Sequence, residues 1–197
     1  MLVLVALCAA PAFSFEGPGG PIAPLTLVVD AERPLPAQAM AEMRRELDRL
    51  VQGSTLRIEW KLRGELKPGD LVSDLVLVKF RGECRMDSSP ALLDGRGPLA
   101  FTYQTDGEIL PFSEVSCERV RAVARSAMTD VDLARGDLLL GRALARVVAH
   151  EVYHIVSREE KHSAAGVFKK GLTGAQLIAE QFRFSDKDLQ RLNARVR

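Results

Sequence analysis

The sequence predicts an α+β fold. We expect a small mixed, twisted sheet with packed helices, one long helix carrying the motif H-E-x-x-H, and a helical C-terminal subdomain. Three observations carry this expectation. Patterns between Leu25 and Phe80 run strand, helix, strand, strand. Leu138 to Val156 is a long apolar run, too long for a strand. The residues after it hold short capped helix patterns. The 197 residues are 47% hydrophobic and 27% charged, which is enough apolar surface for one domain, or one with two lobes around a cleft.

The elements follow in order. Leu25 to Val29 is a short strand. Pro34 and Pro36 punctuate the chain, and a helix follows to about Val51, with Met40, Met43, Leu47 and Leu50 at helical spacing and the methionines as core filler. Gly53 closes it. Leu56, Ile58, Trp60 and Leu62 alternate with polar residues, which defines a half-buried strand. After the turn Lys67-Pro68-Gly69-Asp70, the apolar run Leu75 to Phe80 reads as a central strand buried on both faces.

Met86 to Pro98 is a loop. Leu99 to Gln104 reads as a strand, Thr105-Asp106-Gly107 as a turn, and Glu108 to Phe112 as extended again. We expect an edge strand here, near the motif, with backbone groups open to an extended peptide. Glu114 to Ala127 is helical in pattern, Thr129 to Gly136 breaks it, and Asp137 is placed to cap the long helix. Arg146 and Arg142 lie one and two turns before the motif and read as solvent-facing, with substrate orientation as the other role. Beyond the motif, Ser157 to Lys161 is a polar turn, Thr173 caps a helix to about Phe184, and Ser185 with Asp188 starts a last helix to about Val196.

Charge and termini bound the function classes. A net charge of +1 gives no electrostatic case for nucleic acid or an anionic membrane as partner. Met1 to Ala10 is a short apolar run, followed by the small-residue sites Ala10-Pro11-Ala12 and Ala12-Phe13-Ser14. Residues 1–14 therefore read as a signal peptide, although no Lys or Arg precedes the run. The run is too short to span a bilayer, so no stable membrane insertion is expected after its removal. Phe15 to Pro24 reads as a Gly- and Pro-rich leader, and residues 25–197 as a single domain, with an upper lobe over 25–156 and a lower lobe over 157–197. Removal of the signal takes Cys8 and leaves Cys84 and Cys117, an even count that points to one disulfide in a secreted, periplasmic or extracellular protein. That bond ties the end of a predicted strand to the start of a predicted helix.

The motif His150-Glu151-Val152-Tyr153-His154 carries the chemistry. Residues four apart on a helix lie about 40° apart around its axis, so both imidazoles can bind one metal ion. Glu151 can then serve as general base toward a water that the metal activates. Zinc is the expected ion, because nitrogen ligands in a tetrahedral site with one open position suit it. All three histidines of the chain lie between positions 150 and 162. Tyr153 projects away from the ligands by helix phase, and Tyr103 is a candidate oxyanion donor only if its segment folds over the metal.

The motif resembles that of the zincin metallopeptidases, and the order of elements is similar to a divergent metzincin, with Leu99-Ala100-Phe101 as the edge strand. The resemblance implies a zincin-like fold, one catalytic zinc ion on His150, His154 and His162, Glu151 as general base, and a peptide or protein substrate. In specific form it covers Val147 to Lys170. Three departures stand out. The family pattern is H-E-x-x-H-x-x-G-x-x-H, but Ser157 replaces the Gly, His162 lies two residues late, and Phe168 stands where a Met is expected. Glu180, in the manner of the gluzincins, or Glu159 or Glu160 are the other candidates for third ligand. Beside the peptidase stand two rival expectations: a catalytically inactive zincin-like binding or structural domain, and a zinc-dependent amidase on a non-peptide amide.

Overall fold

The computed structural model of the chain describes residues 24–72, 74–87 and 97–194. The signal-peptide reading, most of the leader and much of the Met86–Pro98 loop lie outside the described residues, as does the expected end of the last helix near Val196. The fold is α+β, with a five-stranded mixed sheet. Its strands are β1 (Leu25–Ala31), β2 (Ile58–Leu62), β3 (Leu75–Arg81), β4 (Ala100–Thr105) and β5 (Glu108–Ser116), in the order β2-β1-β3-β5-β4. All neighbouring pairs are parallel except β4–β5. The helix α1 (Ala37–Val51) makes the crossover that a parallel β1–β2 pair needs. The hairpin of β4 and β5 turns on Asp106 and Gly107, whose φ angles of 49° and 78° are the left-handed pair that a tight hairpin requires.

The strand β3 is central, as expected, but only one of its faces is fully buried. Val76, Val78 and Phe80 are sealed while Leu75, Leu77 and Lys79 are half-buried. The next element also differs from expectation. Residues 114–116 are strand, because Val115 and Ser116 pair with Phe80 and Arg81 of β3. The helix α2 (Cys117–Arg125) begins only after them, with Ser116 Oγ accepting from Arg119 N. Cys117 is its first residue and bonds Cys84, just past β3, so the disulfide joins a strand end to a helix start. A short helix, α3 (Asp130–Leu133), fills the stretch expected to be irregular.

The helix α4 (Gly136–Ser157) runs for 22 residues and packs on α1 and against β3, β4 and β5. Asp137 does not cap it. The N-cap is Arg135, and Asp137 in the first turn accepts a hydrogen bond from Met86 N at 2.8 Å. Gly141 allows the close approach of the two helices, since a Cβ there would stand 2.3 Å from the Ala39 carbonyl oxygen. Arg142 and Arg146 face α1 and are buried, neither solvent-facing nor directed at the motif. Arg146 Nε donates to Glu46 at 2.8 Å and Arg142 Nε to Glu42 at 3.1 Å. Burial pulls the Arg146 guanidinium below its ordinary pKa, while Glu46 opposes the shift.

The same arginines explain why the next helix is short. Arg146 donates to the carbonyls of Gln176 and Ala179, both at 2.6 Å, and Arg142 to that of Ile178 at 3.1 Å. Carbonyls held sideways in this way leave the helical ladder. So α5 (Gly174–Ile178) stops well before the expected end near Phe184. Thr173 caps it as expected, its Oγ1 accepting from Gln176 N. Ser185 and Asp188 exchange hydrogen bonds at the start of α6 (Asp186–Ala194), also as expected.

Candidate metal centre

His150 and His154 lie on one face of α4, near its C-terminal end. The helix continues through Ser157, whose Oγ donates to the Tyr153 carbonyl at 2.7 Å. The elbow falls one residue later, at Arg158, with φ 50° and ψ 36°. That shift accounts for half of the late placement of His162, and the loop 159–161 takes up the rest. The chain then brings His162 back onto the helix. Its Nε2 lies 3.1 Å from His150 Nε2, and His154 Nε2 lies 3.2 Å from the same atom. Ligand atoms of all three fall within 4.8 Å of one another.

The tautomers follow from the partners. His150 Nδ1 donates to the Val167 carbonyl at 2.9 Å, and His154 Nδ1 to the Glu159 carbonyl at 2.6 Å. A carbonyl oxygen only accepts, so both Nδ1 atoms carry the proton and both Nε2 atoms present a lone pair. Two lone pairs at 3.2 Å repel unless a cation lies between them. Two nitrogens on a tetrahedral zinc, each about 2.0–2.1 Å from it, stand about 3.3 Å apart. Spacing, tautomers and donor type all fit such an ion, so the three histidines could hold a metal. Burial pulls His150 down to about 4, against the Val167 bond and helped by the other two imidazoles. Burial also lowers His154 and His162, which favours the neutral form that binds metal.

Phe168 floors the site. Its ring centroid lies 5.2 Å from that of His150, 4.7 Å from His154 and 5.3 Å from His162. Tyr153 packs against it with ring centroids 3.9 Å apart and planes tilted by 38°, and its hydroxyl lies 3.5 Å from Asp188 Oδ1. Tyr153 is therefore packing, as expected from helix phase. Gly166 allows the turn above this floor, since its φ is 77° and a Cβ would meet the Arg183 carbonyl at 2.9 Å.

Glu151 is buried beside the histidines. Thr102 Oγ1, from β4, donates to its Oε2 at 2.7 Å. Burial pushes the Glu151 carboxyl up to about 7, and the Thr102 bond opposes this. A cleft of about 390 Å³ opens in front of these groups, walled by Leu99, Phe101, Val147, Lys170 and Leu172. β4 lies at the sheet edge, with β5 as its one partner among the described residues. Tyr103 does not fold over the site. It alternates to the other face of β4 and its hydroxyl reaches Glu114 Oε2 at 3.4 Å.

Among the described residues, His150, His154 and His162 are the one such group placed to share an ion. Glu180 is exposed and outside it. Glu159 pairs with Arg191 at 3.2 Å, and Glu160 only lines the cleft. Sequence reasoning missed Thr102 and the hydroxyl behind it, Ser113, whose Oγ lies 2.9 Å from Thr102 Oγ1. Strand alternation sets Thr102 apart from Phe101 and Tyr103, but nothing in the sequence tells which strand crosses Glu151. Comparison with protein-family models and with curated proteins gives no match to this chain.

Proposed function

We propose that the chain is an exported zinc metallopeptidase of the zincin class, resembling a metzincin with a displaced elbow and a phenylalanine floor. One observation supports this above the others. Three imidazoles converge on one point beside a buried carboxylate, at a cleft bounded by an edge strand. Zinc suits an all-nitrogen set with an open position, and when bound it makes water nucleophilic near neutral pH and polarises a carbonyl oxygen.

The chain's own residues supply the rest. The open edge of β4 can align an extended peptide through backbone hydrogen bonds, with side chains reaching into the cleft. Glu151 accepts the proton of the attacking water and passes it to the leaving amine as the C–N bond breaks. A carboxyl titrating at about 7 can both take and give that proton at neutral pH. Val167 and Glu159 hold two imidazoles in the tautomer that binds metal. Export is supported by the disulfide, which suits an oxidising compartment, and by the signal-like N-terminus. Among the described residues no helix is long and apolar enough to cross a membrane.

A non-catalytic zincin-like domain is the second reading, favoured by the non-glycine elbow at Arg158 and by Phe168 under the histidines. Metal content by plasma mass spectrometry, followed by cleavage of a peptide library, separates the two. About one zinc per chain with cleavage lost in Glu151→Ala supports the peptidase. Zinc without cleavage favours the second reading, and a folded chain with no tightly held metal overturns the peptidase and leaves the non-catalytic domain ahead. In the same assay His162→Ala loses its zinc while Glu180→Ala keeps it.

A further inference from the structure

The hydroxyls of Thr102 and Ser113 form a chain that ends on the general base. Thr102 Oγ1 lies 2.7 Å from Glu151 Oε2 and 2.9 Å from Ser113 Oγ. Ser113 is sealed, at 2% exposure, on β5 directly opposite Thr102 in the hairpin register. An ionised carboxylate only accepts, so the Thr102 proton points at Oε2. A hydroxyl has one proton, so Thr102 must in turn accept from Ser113. In the ionised form of Glu151 the direction of both bonds is thus set by the charge at one end. Among the described residues Oε1 of Glu151 has no such partner, and Glu151 lines the cleft.

We propose that Thr102, oriented by Ser113, is a positioning residue for the proposed hydrolysis: it pins Oε2 and leaves Oε1 as the oxygen that meets the water. This deepens the peptidase reading and rests on it. Both hydroxyls come from the hairpin whose outer strand is the sheet edge. The strand that would align a peptide therefore also sets the carboxylate that takes the proton. A carboxylate held at one oxygen cannot swing about its Cγ–Cδ bond, so its free lone pair keeps one direction.

The test compares Thr102→Val, Thr102→Ser and Ser113→Ala on a peptide that the wild-type protein cleaves, with zinc content and melting temperature recorded for each. Loss of a partner of this kind should lower kcat roughly 10- to 100-fold in Thr102→Val, with KM and zinc content little changed. Thr102→Ser keeps the hydroxyl and should recover most of the rate, and Ser113→Ala should fall between. Wild-type kcat in Thr102→Val overturns the proposal, as does a loss confined to KM or matched by lost zinc. A second readout needs no turnover. Isotope-edited infrared of the folded protein, with Glu151→Gln to assign the band, reports whether one carboxylate oxygen is held. The split between the two carboxylate stretches should change in Thr102→Val and return in Thr102→Ser, and an unchanged split overturns the proposal. If the wild-type protein cleaves no peptide, the peptidase reading fails while the infrared result still decides the hydrogen bond.

Discussion

Arg146 is fully buried against Glu46, with its Nε 2.8 Å from Glu46 Oε1, and this pair joins the helix that carries the histidines to α1. Arg49 reaches the same carboxylate at 2.7 Å, and the far side of the Arg146 guanidinium holds the carbonyls that end α5. One side chain thus anchors α4 to the helix before it and to the segment after it. Removing a single partner leaves a buried charge without its counter-charge. Glu46→Leu should cost about 3–5 kcal/mol of unfolding free energy. The double change Glu46→Leu with Arg146→Met should cost much less than the two single changes together, as read by denaturant titration.

The phenylalanine under the histidines fills the floor by volume. Phe168→Ala should lose about 3–5 kcal/mol through the cavity it leaves and should weaken zinc binding in chelator competition. Phe168→Met refills most of that volume with a flexible side chain and should hold the loss under about 1.5 kcal/mol. Equal zinc affinity in all three proteins would show that the ring does not set the imidazole geometry.

Arg158 carries a left-handed backbone that glycine adopts without strain. Arg158→Gly should raise stability by about 1 kcal/mol and leave zinc content unchanged. A fall in melting temperature would mean that the arginine side chain stabilises the elbow by other contacts.

Asp132 closes a capping box with Thr129 just before α4, accepting from the Thr129 backbone at 3.0 Å and from its hydroxyl at 2.8 Å. Those bonds, with help from Arg135, lower its carboxyl from 3.8 to about 2. A depressed acid stabilises the fold in its charged form, so the contribution is whole above 3.8 and is lost as the pH falls through about 2. The melting temperature of the wild-type protein should exceed that of Asp132→Asn at pH 5. The gap should close across this acid window, and a gap independent of pH would rule out the charge as its source.

Much of the site was legible because its histidines are local. His150 and His154 need only the helix period, and the helix needs only its apolar run. The strand order was less legible. The apolar run of β3 marks a central strand, but its half-open second face depends on what the rest of the chain leaves uncovered. Arg142 and Arg146 read as solvated because charge alone predicts exposure. Their burial depends on Glu42 and Glu46, each 100 residues away in the chain. The early stop of α5 was hidden for the same reason, since it is imposed by those arginines rather than by its own sequence. Thr102 carries no local mark of its role, because its partner lies 49 residues further on.

The contrast between near and far partners has a consequence for the denatured chain. His150, His154 and His162 lie on one short stretch, so they stay within reach of one another after the sheet has come apart. If the three histidines bind zinc, an unfolded molecule therefore remains a chelator. Zinc would be shared between native and denatured forms, and only the difference between its two affinities would add to the melting temperature. Glu151, the proposed general base, has no such refuge, since its hydroxyl partner belongs to a distant hairpin. Zinc retained by a heated or denatured sample would accordingly report the persistence of a peptide segment, whereas recovery of the proposed hydrolysis would report the return of the sheet.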